Sequence, residues 1–297
     1  PIFVVGAPGP AAFAAIRCHH PHAKITLLTT KSFTAMAEKS GWFDEIIIDT
    51  RPKFFDIPGW LKLRAQLRSK NFTRVYDLQT NDRTNFYFRL FFPGPYPEWA
   101  GKAFGATFRH HGAGREKLHA WDMRREQLRI AGIAETPFPD LTWLDADIAR
   151  YNLAEKFVLI CAGAAPTRPK KRWPPSHYAK LCEYLLSQNL MPVLIGADAE
   201  KEINTEIKST TPGVIDLTGQ TNLFDIAALA RRAAGAVGND TGPMHLIAAA
   251  GCPSMSLFSN DSLPSHSRPL GPRTAFLQRD NLADLGPDEV IPAILLR

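Results

Sequence analysis

The chain has 297 residues, 45% apolar and 22% charged, and its 35 Lys and Arg against 29 Asp and Glu leave a net charge of +6. These values describe a globular chain long enough to bury about 75% of its unfolded surface without disulfide or metal staples. They exclude a disordered tail, a collagen-like chain and a disulfide miniprotein; no run of about 18 apolar residues is present, so no membrane-spanning helix is expected.

The first elements in chain order are a strand at 2–5, a turn at Gly6-Ala7-Pro8-Gly9-Pro10, a helix over 11–19 and a strand over 25–30. A helix near 32–40, a strand at 45–49, a basic amphipathic helix near 60–69 and a strand at 74–78 follow. Residues 91–115 interrupt this rhythm, because Pro93, Pro95 and Pro97 forbid a regular helix. His110-His111-Gly112 reads as an open loop able to touch a phosphorylated acceptor. A helix near 117–131 and a connecting stretch at 137–156 close the first half. The second half alternates again: strand 157–161, helix 175–188 with Ser176 as cap, strand 191–195, helix 200–209, strand 214–217, helix 222–233 capped by Asn222, strand 235–238, helix 243–250 and strand 254–258. Alternation of this kind specifies parallel sheets. Two α/β domains are therefore expected, at 1–150 and 151–297.

The mild basic excess suits phosphates or an anionic membrane surface. It does not suit nucleic acid, since no Lys/Arg block is interleaved with aromatics. Lys62, Arg64 and Arg68 around Leu61, Leu63 and Leu67 are compatible with interfacial binding, against the plainer reading of a surface helix. Cys18, Cys161, Cys182 and Cys252 form no CxxC pair and read as small buried hydrophobes in a reducing compartment. His19, His20 and His22 read as a basic helix terminus rather than a metal site. No metal and no cofactor is expected. No basic-then-apolar leader opens the chain, so a cytoplasmic location is expected.

The densest chemistry lies in Gly238-Asn239-Asp240-Thr241-Gly242-Pro243-Met244-His245, where a strand turns into a helix. Asp240 or Thr241 is placed to cap that helix, Pro243 suits its first turn, and Gly251 suits its end. A helix start at the carboxyl edge of a parallel sheet is an anion site. Thr241 adds a hydroxyl, Gly242 lets a diphosphate near the backbone, and His245 stands in the first turn. The string resembles the D-[ST]-G-x-x-H motif of glycosyltransferase family 9, the lipopolysaccharide heptosyltransferases.

That resemblance implies a GT-B fold: two Rossmann-like α/β domains with parallel sheets facing a central cleft, the first acceptor-side, the second donor-binding. It implies metal-independent, inverting transfer of a sugar, heptose above all, from a nucleotide-diphosphate donor, commonly ADP-linked, to a glycolipid or saccharide acceptor at the inner face of the inner membrane. Asp240, Thr241, Gly242 and His245 match the motif. Lys171, in the loop Gly163 to Pro174, matches a basic residue that contacts donor phosphate, and Thr167 stands for the hydroxyl residues of that loop. Thr221 and Leu223 match a loop that meets the nucleobase, and Glu200, with Asp198 beside it, is a candidate for ribose against the plainer reading of a helix-start acid. In the first half Asp77-Leu78-Gln79 matches a D-x-Q, with Gln79, Asp82 and Arg83 toward the acceptor.

An inverting transfer needs a base for the acceptor hydroxyl. The family places an Asp in the loop after the first strand, where this chain has Gly6-Ala7-Pro8-Gly9-Pro10. Either the sequence omits residues of that loop, as the absent initiator Met suggests, or the base is displaced, with Asp82 the candidate. Omission predicts an intact mass above 33.0 kDa by more than one Met. A silent nucleotide-sugar binding protein and a sugar-nucleotide epimerase are the alternatives. A dehydrogenase is disfavoured by the missing third glycine and the absence of an acid at Thr29-Thr30, and a serine hydrolase by the lack of G-x-S-x-G.

Overall fold

Strands whose residues are apolar on both faces can be satisfied only inside a sheet covered on both sides. A computed structural model, describing residues 1–6, 9–112, 114–164 and 167–297, forms two such sheets. The chain divides into unit 1, Pro1–Trp143, and unit 2, Leu144–Arg297. The division thus falls before the expected 150, because the connecting segment from Leu144 onward packs with the second unit. Leu144 O and Asp145 accept from Arg231 at 2.7 Å each.

Unit 1 runs β1 (Ile2–Val5), α1 (Pro10–His19), β2 (Ile25–Thr29), α2 (Thr34–Ser40), β3 (Glu45–Ile48), α3 (Ile57–Arg68), β4 (Arg74–Asp77), α4 (Asp82–Arg89), β5 (Glu98–Gly101), β6 (Phe108–Arg109) and α5 (Ala120–Ile130). Its sheet has the order β3-β2-β1-β4-β5-β6, all parallel, with Ile2 opposite both Ile25 and Arg74. One face packs Phe13, Ile16 and Leu128; the other packs Leu63, Leu67, Tyr87 and Trp99.

Unit 2 runs β7 (Phe157–Cys161), α6 (Pro175–Ser187), β8 (Met191–Leu194), α7 (Lys201–Thr210), β9 (Ile215–Asp216), α8 (Leu223–Arg232), β10 (Gly235–Asn239), α9 (Gly242–Ala249), β11 (Ser254–Ser259) and β12 (Thr274–Arg279). The order β12-β11-β10-β7-β8-β9 repeats that of unit 1. Tyr178, Leu181 and Leu185 cover one face, and Leu229, Met244 and Ile247 the other.

Several expectations are corrected. The interval 91–115 contains β5 and β6, and α4 immediately precedes it. β5 is only four residues and follows Pro97, which hid it. The helix expected from Lys117 begins at Ala120, where the His119 ring accepts from Trp121 N at 3.1 Å. Pro174, not Ser176, precedes α6, and Pro175 opens it. β12 lies beyond the last expected strand. Cys161, Cys182 and Cys252 are buried, whereas Cys18 is exposed.

The basic helix behaves differently from the interfacial reading. Leu63 and Leu67 face the core. Arg64 donates to Phe92 O at 2.6 Å, and Arg68 to Gly94 O at 2.9 Å. His110 is buried beside Glu126 at 3.3 Å, so only His111 of that pair is open. His20 lies 2.8 Å from the Tyr76 hydroxyl, and burial lowers it to about 4.

Candidate functional site: the carboxyl edges of the two sheets

In a sheet of this order, the two central strands feed helices on opposite faces, and a crevice opens beyond their carboxyl ends. In unit 2 those strands are β7 and β10. The parallel topology brings the exits of all six strands to one edge. Gly163 and Lys171 therefore share an edge with Gly196, Glu200, Thr221, Asp240 and Ser262.

Asn239 fixes this edge, and the sequence reading missed it. The side chain is fully buried and spends every donor and acceptor it has. Its amide donates to Ala162 O at 2.8 Å and Gly163 O at 3.1 Å. Its oxygen accepts from Tyr178 Oη at 2.9 Å and Trp173 N at 3.3 Å. The Trp173 indole donates to Leu285 O at 2.7 Å. Both ends of the β7–α6 loop are thus tied to β10. An Asn at the last position of an otherwise apolar strand was the available signal.

This clamp sets Lys171. Its Nζ donates to Asp240 Oδ2 at 2.7 Å, and the two side chains are only 11% and 8% exposed. The His245 imidazole is 3.7 Å from the other carboxylate oxygen. Burial alone would raise Asp240; His245 and Lys171 outweigh it and hold the carboxyl down at about 2. Lys171 is therefore an ion-pair partner of Asp240. An ammonium carries three donors, so two remain. Its neighbours turn elsewhere: Arg172 donates to Ala164 O at 2.9 and 3.1 Å, and Lys170 is exposed.

α9 begins without a side-chain cap: Thr241 stands at the capping position and neither it nor Asp240 fills that role. Thr241 Oγ1 is buried with no partner among the described residues. A Cβ added at Gly242 would meet nothing within 4 Å, so the helix start opens onto free space. An uncapped helix start carries positive potential, and Thr241 and Lys171 lie beside it with donors unspent.

The remaining candidates of unit 2 divide. Glu200 accepts from Ala197 N at 2.8 Å, which makes it the cap of its own turn. Its side chain also occupies the space that Cβ atoms at Gly163 and Gly196 would need, so it lies on the same edge between β7 and β8. Asp198 is exposed. Thr221 and Leu223 flank Asn222, whose side chain caps α8. No hydrogen bond joins either to Asp240 among the described residues. Thr167 is exposed; Ala165 and Pro166 of its loop lie outside the described residues.

In unit 1 the corresponding strands are β1 and β4. The first-loop expectation turns on Ala7 and Pro8, which lie outside the described residues. After β4, Asp77 accepts from Gln79 N at 3.1 Å and Thr80 N at 3.0 Å and so shapes the turn that carries Gln79. It is fully buried, its Oδ2 has no partner among the described residues, and burial lifts it to about 6. Gln79 accepts from Asn81 at 3.1 Å. Asp82 is exposed in the first turn of α4, after an Asn81 capping box. Arg83 donates to Pro52 O at 2.9 Å and lies over Trp60, so it serves the fold rather than standing free. Among the described residues no cluster of His, Cys, Asp and Glu is arranged to hold a metal ion.

The family model for glycosyltransferase family 9 (heptosyltransferase) matches residues 124–285. The chain belongs to glycosyltransferase family 9. Within the family, lipooligosaccharide heptosyltransferase 2 of Haemophilus influenzae is 31% identical over 131 residues, 42% of this chain and 38% of that protein. The match thus spans under two fifths of the curated relative. Solved structures extend the likeness of fold across the chain. The glycosyltransferase family 9 protein of Veillonella parvula superposes with a TM-score of 0.81 at 20% identity, covering 98% of this chain and 95% of that one. The E. coli heptosyltransferase WaaC with ADP gives 0.73 at 18% identity, covering 98% of each chain. Two parallel six-stranded sheets of repeated order are the GT-B type of α/β fold.

Proposed function

We propose that this family 9 chain transfers a sugar, heptose in the first instance, from an ADP-linked donor to a lipopolysaccharide-core or related saccharide acceptor. The observation that carries the reading is the uncapped start of α9 beside the neutral Lys171–Asp240 pair. A diphosphate there takes the two spare Lys171 protons, the Thr241 hydroxyl and the free amides of the first turn. ADP in the solved WaaC structure supports the nucleotide assignment.

In the proposed step the acceptor oxygen attacks the anomeric carbon from the face opposite the diphosphate. The new C–O bond forms as the bond to the diphosphate oxygen breaks, and ADP leaves with that electron pair. Configuration inverts. Lys171, Thr241 and the backbone of Gly242 stabilise the charge that develops on the leaving oxygen. His245 donates a hydrogen bond to it, and Asp240 holds Lys171 in place. No metal is required, because these groups supply the positive potential. The acceptor proton goes to a carboxylate, for which exposed Asp82 is the candidate; buried Asp77 does not reach solvent. Gln79 is the remaining acceptor-side candidate, while Glu200, Thr221 and Leu223 are those for the nucleoside.

Incubation with ADP-heptose and a truncated lipid-linked core saccharide, followed by mass spectrometry, tests this reading. The expected result is an acceptor heavier by one heptose, with ADP released and no loss in the presence of a chelator. Donor consumed without acceptor indicates isomerisation or hydrolysis, and binding without turnover indicates a silent carrier. Either outcome contradicts the proposal.

A further inference from the structure

Exposed large apolar side chains occur at several places on unit 1, Phe92 and Phe104 among them, but one short segment carries four of them, including the two most exposed. Between β3 and α3, Phe54 is 84% and Phe55 88% exposed, and α3 continues with Ile57 at 65% and Leu61 at 59%. Ile57 and Leu61 are four residues apart, so they share one helix face. The two phenyl rings stand edge to face at 5.1 Å. Phe86, 45% exposed, lies across Trp60 at 5.0 Å. Exposed apolar groups scattered singly need no account, but a contiguous cluster marks a contact.

The segment is fixed at both ends. Pro52 is buried and its carbonyl accepts from Arg83 at 2.9 Å. The Lys53 carbonyl accepts from the Trp60 indole at 3.0 Å and from Asp56 N at 2.9 Å, and the Phe55 carbonyl from Ile57 N at 3.0 Å. Asp56 caps α3 through Gly59 N at 2.9 Å. The phenyl rings are thus presented on a held turn.

Charge completes the pattern. Arg51, Lys53 and Lys62 are exposed around the rings, and none has an acidic partner among the described residues. The acids flanking the turn are already engaged, Asp56 as the cap and Asp49 by the Tyr87 hydroxyl at 2.8 Å and by Arg51 N at 2.9 Å. Exposed Asp82 lies one turn before Phe86 on α4. Two protruding rings with unpaired cations on their flanks are complementary to an anionic headgroup layer over acyl chains. A protein partner would instead need a pocket shaped to the wedge.

We infer that the Phe54–Leu61 segment is an interfacial anchor that inserts Phe54 and Phe55 into an anionic lipid surface, with Arg51, Lys53 and Lys62 on the headgroups. The inference deepens the proposed function by placing unit 1 where a lipid-linked acceptor is met. It keeps Leu61 and Lys62 from the interfacial reading of the 60–69 helix and leaves out Leu63, Leu67, Arg64 and Arg68, which are committed to the fold.

Co-sedimentation with phosphatidylcholine vesicles, with and without phosphatidylglycerol, tests it. The protein is expected to bind the mixed vesicles, weakly or not at all the neutral ones. Phe54→Ser/Phe55→Ser should lower binding roughly tenfold or more, and Lys53→Gln/Lys62→Gln should remove the dependence on the anionic lipid. ADP affinity of both variants should equal that of the parent, showing an intact fold. Parent protein that binds ADP but not vesicles overturns the anchor alone; protein that binds vesicles but not ADP leaves the anchor and removes the donor reading. Undiminished vesicle binding by the phenylalanine variant overturns the inference. So does a dimer in solution that this variant dissociates, which would assign the patch to a second copy.

Discussion

Asp77 and Asp240 both lie at the carboxyl end of the fourth strand of their unit, Asp77 as its last residue and Asp240 one residue beyond it. Asp240 meets an ammonium at 2.7 Å and an imidazole at 3.7 Å and is held at about 2. Asp77 accepts two turn amides through one oxygen and leaves the other without a partner among the described residues, and burial outweighs these contacts and lifts it to about 6. The same residue type at neighbouring points of the two strand exits is therefore stabilised as an anion in one unit and disfavoured as one in the other. A direct ion pair decides the outcome: in unit 1 Arg115 lowers Asp77 without pairing with it, donating instead to Thr80 Oγ1 at 2.7 Å, and burial prevails. In unit 2 the β7–α6 loop brings Lys171 back, and Asn239 holds that loop. Asp77 instead has the task of shaping a turn.

The largest effect should come from removing the clamp. Asn239→Ala leaves the Tyr178 hydroxyl and the Trp173 amide buried without their partner, and stability to urea should fall by about 3 kcal/mol. An unchanged denaturation midpoint would break the claim that Asn239 sets the edge of unit 2.

The two aspartates should also respond to pH in opposite senses. A raised carboxyl pKa means the folded chain holds its proton longer, so Asp77 disfavours folding increasingly from about pH 4 to its own value near 6 and by a constant amount above. Asp77→Asn should therefore gain about 2–3 kcal/mol relative to the parent between pH 4 and pH 7. Asp240 has a depressed pKa, so its contribution is present above about pH 4 and is lost as pH falls through about 2. Removing its partner in Lys171→Met should cost about 2 kcal/mol at neutral pH, less than a fully buried pair because solvent reaches the site. Carboxyl carbon NMR titration of the parent reads both values directly, and equal titration of the two aspartates would abolish the comparison.

The smallest structural effect carries a sharp functional one. Gly242→Ala adds a methyl into open space in a helical turn, so stability should change by less than about 1 kcal/mol. Affinity for ADP should fall by about tenfold or more, because that methyl occupies the diphosphate's approach. Unchanged ADP affinity would place the anion elsewhere.

Much of unit 2 was legible because its signals are local. Strand, turn and helix follow one another within Gly235–Ala249, and all of the proposed anion site but Lys171 is built from nearly consecutive residues. The Lys171–Asp240 pair joins positions far apart in sequence, and a basic loop alone gave no sign that its ammonium was already engaged. Asn239 was passed over because its partners come from Ala162, Gly163, Trp173 and Tyr178, which only the sheet order brings together. In unit 1, β5 and β6 are too short for periodicity to register, and they follow a proline-rich stretch that read as irregular. The resemblance at Asp77-Leu78-Gln79 implies an acceptor-side Arg83, whereas its hydrogen bond to Pro52 crosses to a segment with no local signature.

Calorimetric titration with ADP, UDP and GDP, on the parent and on Lys171→Met and His245→Ala, tests the central claim most directly. Selective ADP binding, weakened about tenfold or more in both variants, is the predicted result. Absence of nucleotide binding, or ADP binding indifferent to both substitutions, would contradict the assignment of the α9 start as the donor site.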